Sequence, residues 1–283
     1  MKKTFWIFAT LMLFFVGDRL AGWVLKTLLA DSQFRYSRLY QGEAEADILL
    51  VGNSRGLIFY QPYIEEITGK STFNVSYNGM PIDLGRTLVE DYFEKYEAPQ
   101  LMVLDVTMCD RENTQLVSGF NLYTPYSDNL FNLVLSHDRN SAYAGQLSHL
   151  YLHNSEIFQR GLYYYNKSDE DWLLDRVINE HMVNTVEQQK VDTIKWTNKI
   201  LAHLKATVDL AKSKGTKVHL VVNPYYPPYA KRIPNLNEFR QSIERFTGEK
   251  VHDYAQSVSD LQGFGDYQHL NKHGARLYID LLK

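Results

Sequence analysis

Four short apolar runs, each broken off by turn-forming residues, set the tightest limit on how this chain folds. Residues 47–51 run into Gly52-Asn53-Ser54, and residues 72–75 lead to Asn78-Gly79. Residues 101–106 form the third run, and residues 217–222 stop at Asn223-Pro224. Short, uninterrupted apolar stretches bounded by turns are what strands look like when both faces of a parallel sheet are covered. Helical patterns lie between them: residues 86–93, and residues 192–214 with Ile194, Ile200, Leu201, Leu204, Val208 and Leu210 at helical spacing before Gly215. This alternation predicts an α/β fold, a three-layer sandwich with a parallel sheet of about five strands joined by right-handed crossovers.

The stretch from about 111 to 190 breaks the alternation. It is aromatic and polar, and reads as a helical insertion between the third and fourth strands. In an open parallel sheet, ligands bind beyond the carboxyl ends of the strands. The insertion, with Tyr163, Tyr164 and Tyr165, and the loop after the fourth strand, with Tyr225, Tyr226 and Tyr229, both leave such ends. Aromatic faces there suit sugar rings, and Tyr225 and Tyr226 are candidate substrate contacts. Packing of the insertion is the competing use of the same tyrosines.

The first 30 residues stand apart. Lys2 and Lys3 precede an uncharged run from Phe5 to Gly17 closed by Asp18 and Arg19, the layout of a signal peptide. Apolar residues resume at Leu20–Trp23, and no clean Ala-x-Ala cleavage site precedes Asp31, which favours an uncleaved membrane anchor. Both alternatives put residues 31–283 outside the cytoplasm, in the periplasm or at the cell surface. With a net charge of -3 and no basic stripe, nucleic acid is not an expected partner. The single cysteine, Cys109, excludes an intrachain disulfide and a cysteine-based zinc site. His137, His149 and His153 match no metal-ligand spacing, so no metal site is expected.

Chemistry is concentrated at the two ends of the α/β region. Gly52-Asn53-Ser54 puts a hydroxyl on a tight turn at a strand end, near oriented backbone N–H groups, a placement that suits a nucleophile and its oxyanion. Near the C-terminus, Asp266-Tyr267-Gln268-His269 spaces a carboxylate and an imidazole so that one turn brings them together. Taken singly, the first motif is more often a helix cap and the second a chance pairing. His273, and Asp253 or Asp260, are alternative base and orienting acids. Cys109, without a glycine turn, reads as a packed strand-end residue.

Together these blocks resemble the SGNH (GDSL-type) hydrolases, whose fold is flavodoxin-like. The first family block, Gly-Asp/Asn-Ser after strand one, is matched by Gly52, Asn53 and Ser54. The second, an Asn followed five residues later by a Gly, is matched by Asn74 and Gly79. The last, Asp-x-x-His often followed by Leu-Asn and Gly, is matched by Asp266, His269, Leu270, Asn271 and Gly274. The resemblance covers about residues 45–110 and 215–280. It implies Ser54, His269 and Asp266 as catalytic residues and backbone N–H groups of Ser54 and Gly79 as oxyanion donors, with Asn53 beside the substrate and no cofactor.

One block departs. Where the family carries Gly-x-Asn-Asp, this chain has Thr107-Met108-Cys109-Asp110, so the third oxyanion donor is missing unless Asn78 or Asn113 replaces it. Some branches that modify envelope polysaccharides share this departure and an N-terminal membrane segment. The expected activity is therefore a serine esterase or O-acyltransferase for short acyl esters, on an acylated carbohydrate or another small ester. The alternative is a non-catalytic relative that binds a glycan or partner in a cell-envelope assembly.

Overall fold

The computed structural model describes residues 2–167, 172–191 and 193–282. The chain divides into two units, each built from two separate stretches: a sheet unit, Ala44–Asn113 with Asp171–Lys283, and a helical unit, Met1–Glu43 with Thr114–Glu170.

The sheet unit holds five parallel strands, β1 (Ile48–Val51), β2 (Thr72–Asn74), β3 (Leu101–Asp105), β4 (Lys217–Val222) and β5 (Val251–Asp253), in the order β2-β1-β3-β4-β5. Because successive side chains point to opposite faces, Ile48, Leu50, Val103 and Val221 face one way. They form a core with Ile58, Phe59, Ile64, Phe264, Tyr278 and Ile279, which brings helices Gln61–Thr68 and Lys272–Leu281 onto that face. The alternate residues, Leu49, Met102, Leu104, Leu220 and Val222, are equally buried and face the other way. Helices Ile82–Lys95, Asn198–Ser213 and Leu236–Thr247 pack in that order against one another, and the last two also meet β4 and β5. The expected three-layer α/β arrangement is the observed one.

The fifth strand escapes the apolar-run test because only Val251 of its three residues is buried. Helix Asn198–Ser213 also begins later than the pattern from residue 192 suggests; Asp192 itself lies outside the described residues. Thr197 caps the helix, its hydroxyl accepting from the Ile200 N–H at 3.2 Å. Ahead of it, Ile194 exchanges two 2.9 Å hydrogen bonds with the Asn235 side chain, holding that stretch out of helical geometry.

The helical unit is led by the 29-residue helix Lys2–Ala30. It is long and apolar enough to cross a membrane, with mean hydropathy 1.5 over its most apolar window, and little of that window is buried. Its second half is not set apart from the fold. Leu29 is buried beside Gly161, and Gly22 meets His149 so closely that a Cβ there would lie 2.3 Å from the His149 Cβ. The rest of the unit gathers short helices around Phe34, Tyr36, Phe120 and Tyr123, with Tyr36 edge-on to Phe34 at 5.2 Å and to Phe120 at 4.7 Å. Tyr164 joins this core, parallel to Phe34 at 6.1 Å.

Candidate active site

The strand order makes the site. The chain leaves β1 for β2 on one side and later returns to place β3 on the other. The connections after β1 and β3 therefore diverge and open a crevice at the carboxyl ends of the strands. Ser54, two residues past the Gly52 that ends β1, stands there. At Gly52 the backbone folds back so tightly that a Cβ would lie 2.8 Å from the Gly56 Cα and 3.2 Å from the Asp105 Cβ. Only glycine permits that approach.

Two asparagines hold the turn. Asn53 accepts from the Arg55 N–H at 2.9 Å and donates to the Thr107 hydroxyl at 3.3 Å. Asn74, at the end of β2, donates to the carbonyls of Gly56 and Phe59 and accepts from the Ser76 N–H. Asn53 is buried, with both ends of its amide engaged, so it supports the Ser54 turn and does not line the cavity in front of it. That revises its expected role as a substrate contact.

Beneath Ser54 lies a second polar layer. The buried Arg55 guanidinium donates to the carbonyls of Asn223 and Pro224 and stacks on the Tyr225 ring, 3.2 Å from its centroid. The Asn223 side chain donates back to the Arg55 carbonyl at 3.0 Å and accepts from the Tyr278 hydroxyl at 2.6 Å. Burial pulls Arg55 down to about 10, against the pull of Asp105, so it stays a cation at neutral pH. Burial likewise pushes the Asp105 carboxyl up, although Arg55 and Thr107 favour its charge.

The two ends of the chain meet at the serine. His269 Nε2 lies 3.0 Å from Ser54 Oγ, and His269 Nδ1 lies 2.9 and 3.1 Å from the two Asp266 oxygens. With Nδ1 donating to the carboxylate, Nε2 is left to accept the serine proton. Asp266 also accepts from the backbone N–H groups of Gln268 and His269, both at 2.9 Å, and from Arg176 at 3.3 Å. Burial works against ionisation of Asp266, but the bond and charge of His269 and the two N–H groups outweigh it and hold the carboxyl at about 2. The loop is anchored by Asn271, which donates to the carbonyls of Gln262 and Arg176 and accepts from the Gly274 N–H as the cap of helix Lys272–Leu281.

The remaining sequence candidates separate. His273 bonds Asp260 on the surface at 2.8 Å, and Asp253 accepts from the Ala255 N–H. Cys109 is buried, and burial pushes its thiol well up. Gly79 adopts φ +70, a conformation L side chains rarely take, and its carbonyl accepts from Asn113 at 3.0 Å, which turns that asparagine toward holding the Gly79 loop. Among the described residues, no acceptor within the chain takes the backbone N–H of Ser54 or Gly79. Thr107, at the block that lacks Asn, donates its hydroxyl to Asp105 at 2.8 Å.

A cavity of about 190 Å³ opens at Ser54, lined by Asp266, His269 and Asn78 and walled by Leu57, Ile58, Trp172, Leu173, Leu174 and Leu270. Sequence reasoning missed this wall because aliphatic residues carry no motif. Trp172, Leu173 and Leu174 form part of it because the Lys272 N–H donates to the Leu174 carbonyl and, further along, the Ile178 N–H donates to the Phe264 carbonyl. None of the expected tyrosines lines this cavity. Tyr226 packs edge-on against Phe264 at 5.5 Å. Tyr225 and Tyr229, with Gln268, Arg111 and Lys195, border a second and more polar cavity of about 720 Å³, and Gln268 donates to the Tyr229 hydroxyl. Tyr163 and Tyr164 belong to the helical unit.

No family model and no curated protein matches this chain. Several solved structures do. One, from Bacteroides fragilis NCTC 9343 and described provisionally as an acylhydrolase, is 12% identical, covers 85% of each chain and superposes with a TM-score of 0.40.

Proposed function

We propose that the chain is a serine hydrolase of short acyl esters, of the SGNH type, held at a membrane by its N-terminal helix with the sheet unit outside the cytoplasm. The observation that carries the reading is the unbroken hydrogen-bonded path from Ser54 Oγ through His269 to Asp266 at the floor of a cavity.

His269 Nε2 takes the Ser54 proton as Oγ attacks the ester carbonyl carbon, and the carbonyl oxygen becomes an oxyanion facing the N–H groups of Ser54 and Gly79. Asn78, which lines the cavity, is the side chain best placed to stand in for the missing family Asn. The imidazolium then protonates the departing alcohol as the carbon–oxygen bond breaks, leaving an acyl-serine. Water, or a sugar hydroxyl, gives its proton to His269 as it attacks that acyl group, and the proton returns to Ser54. Asp266 remains ionised throughout, fixing the imidazole tautomer and stabilising its charged form.

The aliphatic wall of the cavity at Ser54 suits a short acyl group. The polar cavity bordered by Gln268, next in sequence to His269, suits a polyhydroxylated alcohol such as a sugar. The test compares wild type with Ser54→Ala on p-nitrophenyl acetate, butyrate, octanoate and decanoate and on acetylated oligosaccharides. The expected result is Ser54-dependent cleavage of acetate and butyrate esters and acetate release from sugar. Preference for decanoate sinks the short-acyl assignment, and cleavage that survives Ser54→Ala sinks the mechanism.

A further inference from the structure

Among the described residues, exposed large apolar side chains are unevenly spread. Outside helix Lys2–Ala30, the helical unit shows six of them between residues 143 and 163, including Tyr143, Leu147 (78% exposed), Leu150 (44%) and Tyr151. The larger sheet unit shows Val177, Leu261 and Leu281. The cluster is joined to the apolar helix by specific bonds. The Asp18 carboxylate accepts from the Ser148 hydroxyl at 2.5 Å and from the N–H groups of His149 at 2.8 Å and Leu150 at 3.0 Å. Arg19 donates to the Leu147 carbonyl at 3.1 Å.

We propose that this face of the helical unit, Tyr143, Leu147, Leu150 and Tyr151 beside Trp23, is seated in the outer interface of the lipid bilayer that the N-terminal helix crosses. The inference rests on the membrane-anchor reading and is independent of the ester chemistry. Depth along the helix carries it. The uncharged run 4–17 covers about 21 Å at 1.5 Å per residue, short of a hydrocarbon core of roughly 30 Å. A crossing helix must therefore use the turns from Asp18 to about Trp23 as well. Whatever is bonded to Asp18 and Arg19 lies at that depth, and what is bonded there is residues 147–150.

The polar groups are arranged for such a place. A carboxylate near the hydrocarbon is costly unless fully bonded, and Asp18 has four donors: the Ser148 hydroxyl, the His149 and Leu150 N–H groups and, at 3.2 Å, Arg19. The first N–H groups of helix His149–Leu152, which water would satisfy elsewhere, are satisfied by that same carboxylate. Trp23 and the two tyrosines are of the residue types that settle at the membrane interface. An exposed apolar patch continuous with a bilayer-crossing helix meets lipid first.

The full-length chain in phosphatidylcholine vesicles carrying a nitroxide lipid provides the test. Single environment-sensitive labels are placed at Leu147→Cys, Leu150→Cys, Phe14→Cys and Leu162→Cys. The native Cys109 is buried, and the unsubstituted chain serves as the labelling blank. Helix Glu156–Tyr163 meets the long helix at Leu29, about 16 Å beyond Asp18, so residue 162 reports the aqueous side. The expected result is quenching by the lipid nitroxide at 14, 147 and 150 several-fold above that at 162. Lipid contact at 14 with 147 and 150 in water overturns the proposal and leaves the anchor standing, handing the face to a protein partner. Water at all four positions overturns the proposal and the anchor together, whatever the esterase assay shows.

Discussion

The chain contains two Asp–His pairs within fifteen residues of one another, and only one of them is at a site. Asp266 and His269 are 2.9 Å apart, and Asp260 and His273 are 2.8 Å apart, so as pairs they are equivalent. They differ in what surrounds them. His269 has Ser54 on its second nitrogen and Trp172, Leu173 and Leu174 across the cavity. His273 sits in the first turn of helix Lys272–Leu281 with its side chain 54% exposed, and Asp260 caps a short turn by accepting from the Gln262 N–H. Carboxylate–imidazole contact is thus ordinary surface chemistry. The third partner and the cover make it a candidate for catalysis.

The comparison breaks most sharply on the histidines. His269→Ala is expected to lower kcat for p-nitrophenyl acetate on the order of 10⁶-fold, while His273→Ala leaves it unchanged. Equal losses would show that the two pairs are not functionally distinct. Asp266→Asn is expected to cost less, on the order of 10⁴-fold in kcat with KM little altered, because the imidazole stays but its tautomer and charged form lose their partner. Asp260→Asn gives the matched control, with no change in kcat.

The smallest effect is in stability against pH. The folded Asp266 carboxyl, at about 2, lies below its ordinary value of 3.8, so its contribution is complete above about pH 4 and is lost as the pH falls toward 2. Denaturant melts should show wild type ahead of Asp266→Asn by roughly 2 kcal/mol above pH 4, with the gap closing by pH 2. His273 also holds the Asp260 carboxyl below its ordinary value, but that exposed pair is screened, and Asp260→Asn should open no comparable gap. A constant gap for Asp266→Asn across this range would mean that its role is packing and not charge.

What the sequence made legible follows from how each feature is encoded. Strands β1 to β4 are short apolar runs, and a run is a local signal. β5 has one buried residue, and its place in the sheet is decided by β4 beside it. Ser54, Asp266 and His269 sit in spaced polar motifs and could be named, whereas Leu173 and Leu174 wall the same cavity without any pattern to betray them. The residue type of Asn53 suits both a substrate contact and a buried clamp, and only Thr107 and the Arg55 N–H decide between them. The tyrosines divide for a related reason: Tyr226 packs on Phe264, while Tyr225 and Tyr229 border the polar cavity. Tyr225 carries the same ring whether it meets a sugar or the Arg55 guanidinium, and burial under Arg55 is a tertiary fact.

The hydrogen bond between Ser54 and His269 spans 215 residues of chain, which has a consequence for biosynthesis. β1, β2 and β3 leave the ribosome early, but β4 begins at Lys217, and until it arrives β3 is an open apolar edge. At 5–20 residues per second that edge waits on the order of 5–20 s, a window in which mispairing competes with folding. The hydroxyl has no base throughout that interval. On the proposed mechanism, activation of Ser54 must await residues 266–269, so a chain truncated before residue 266 would carry the serine and remain inert.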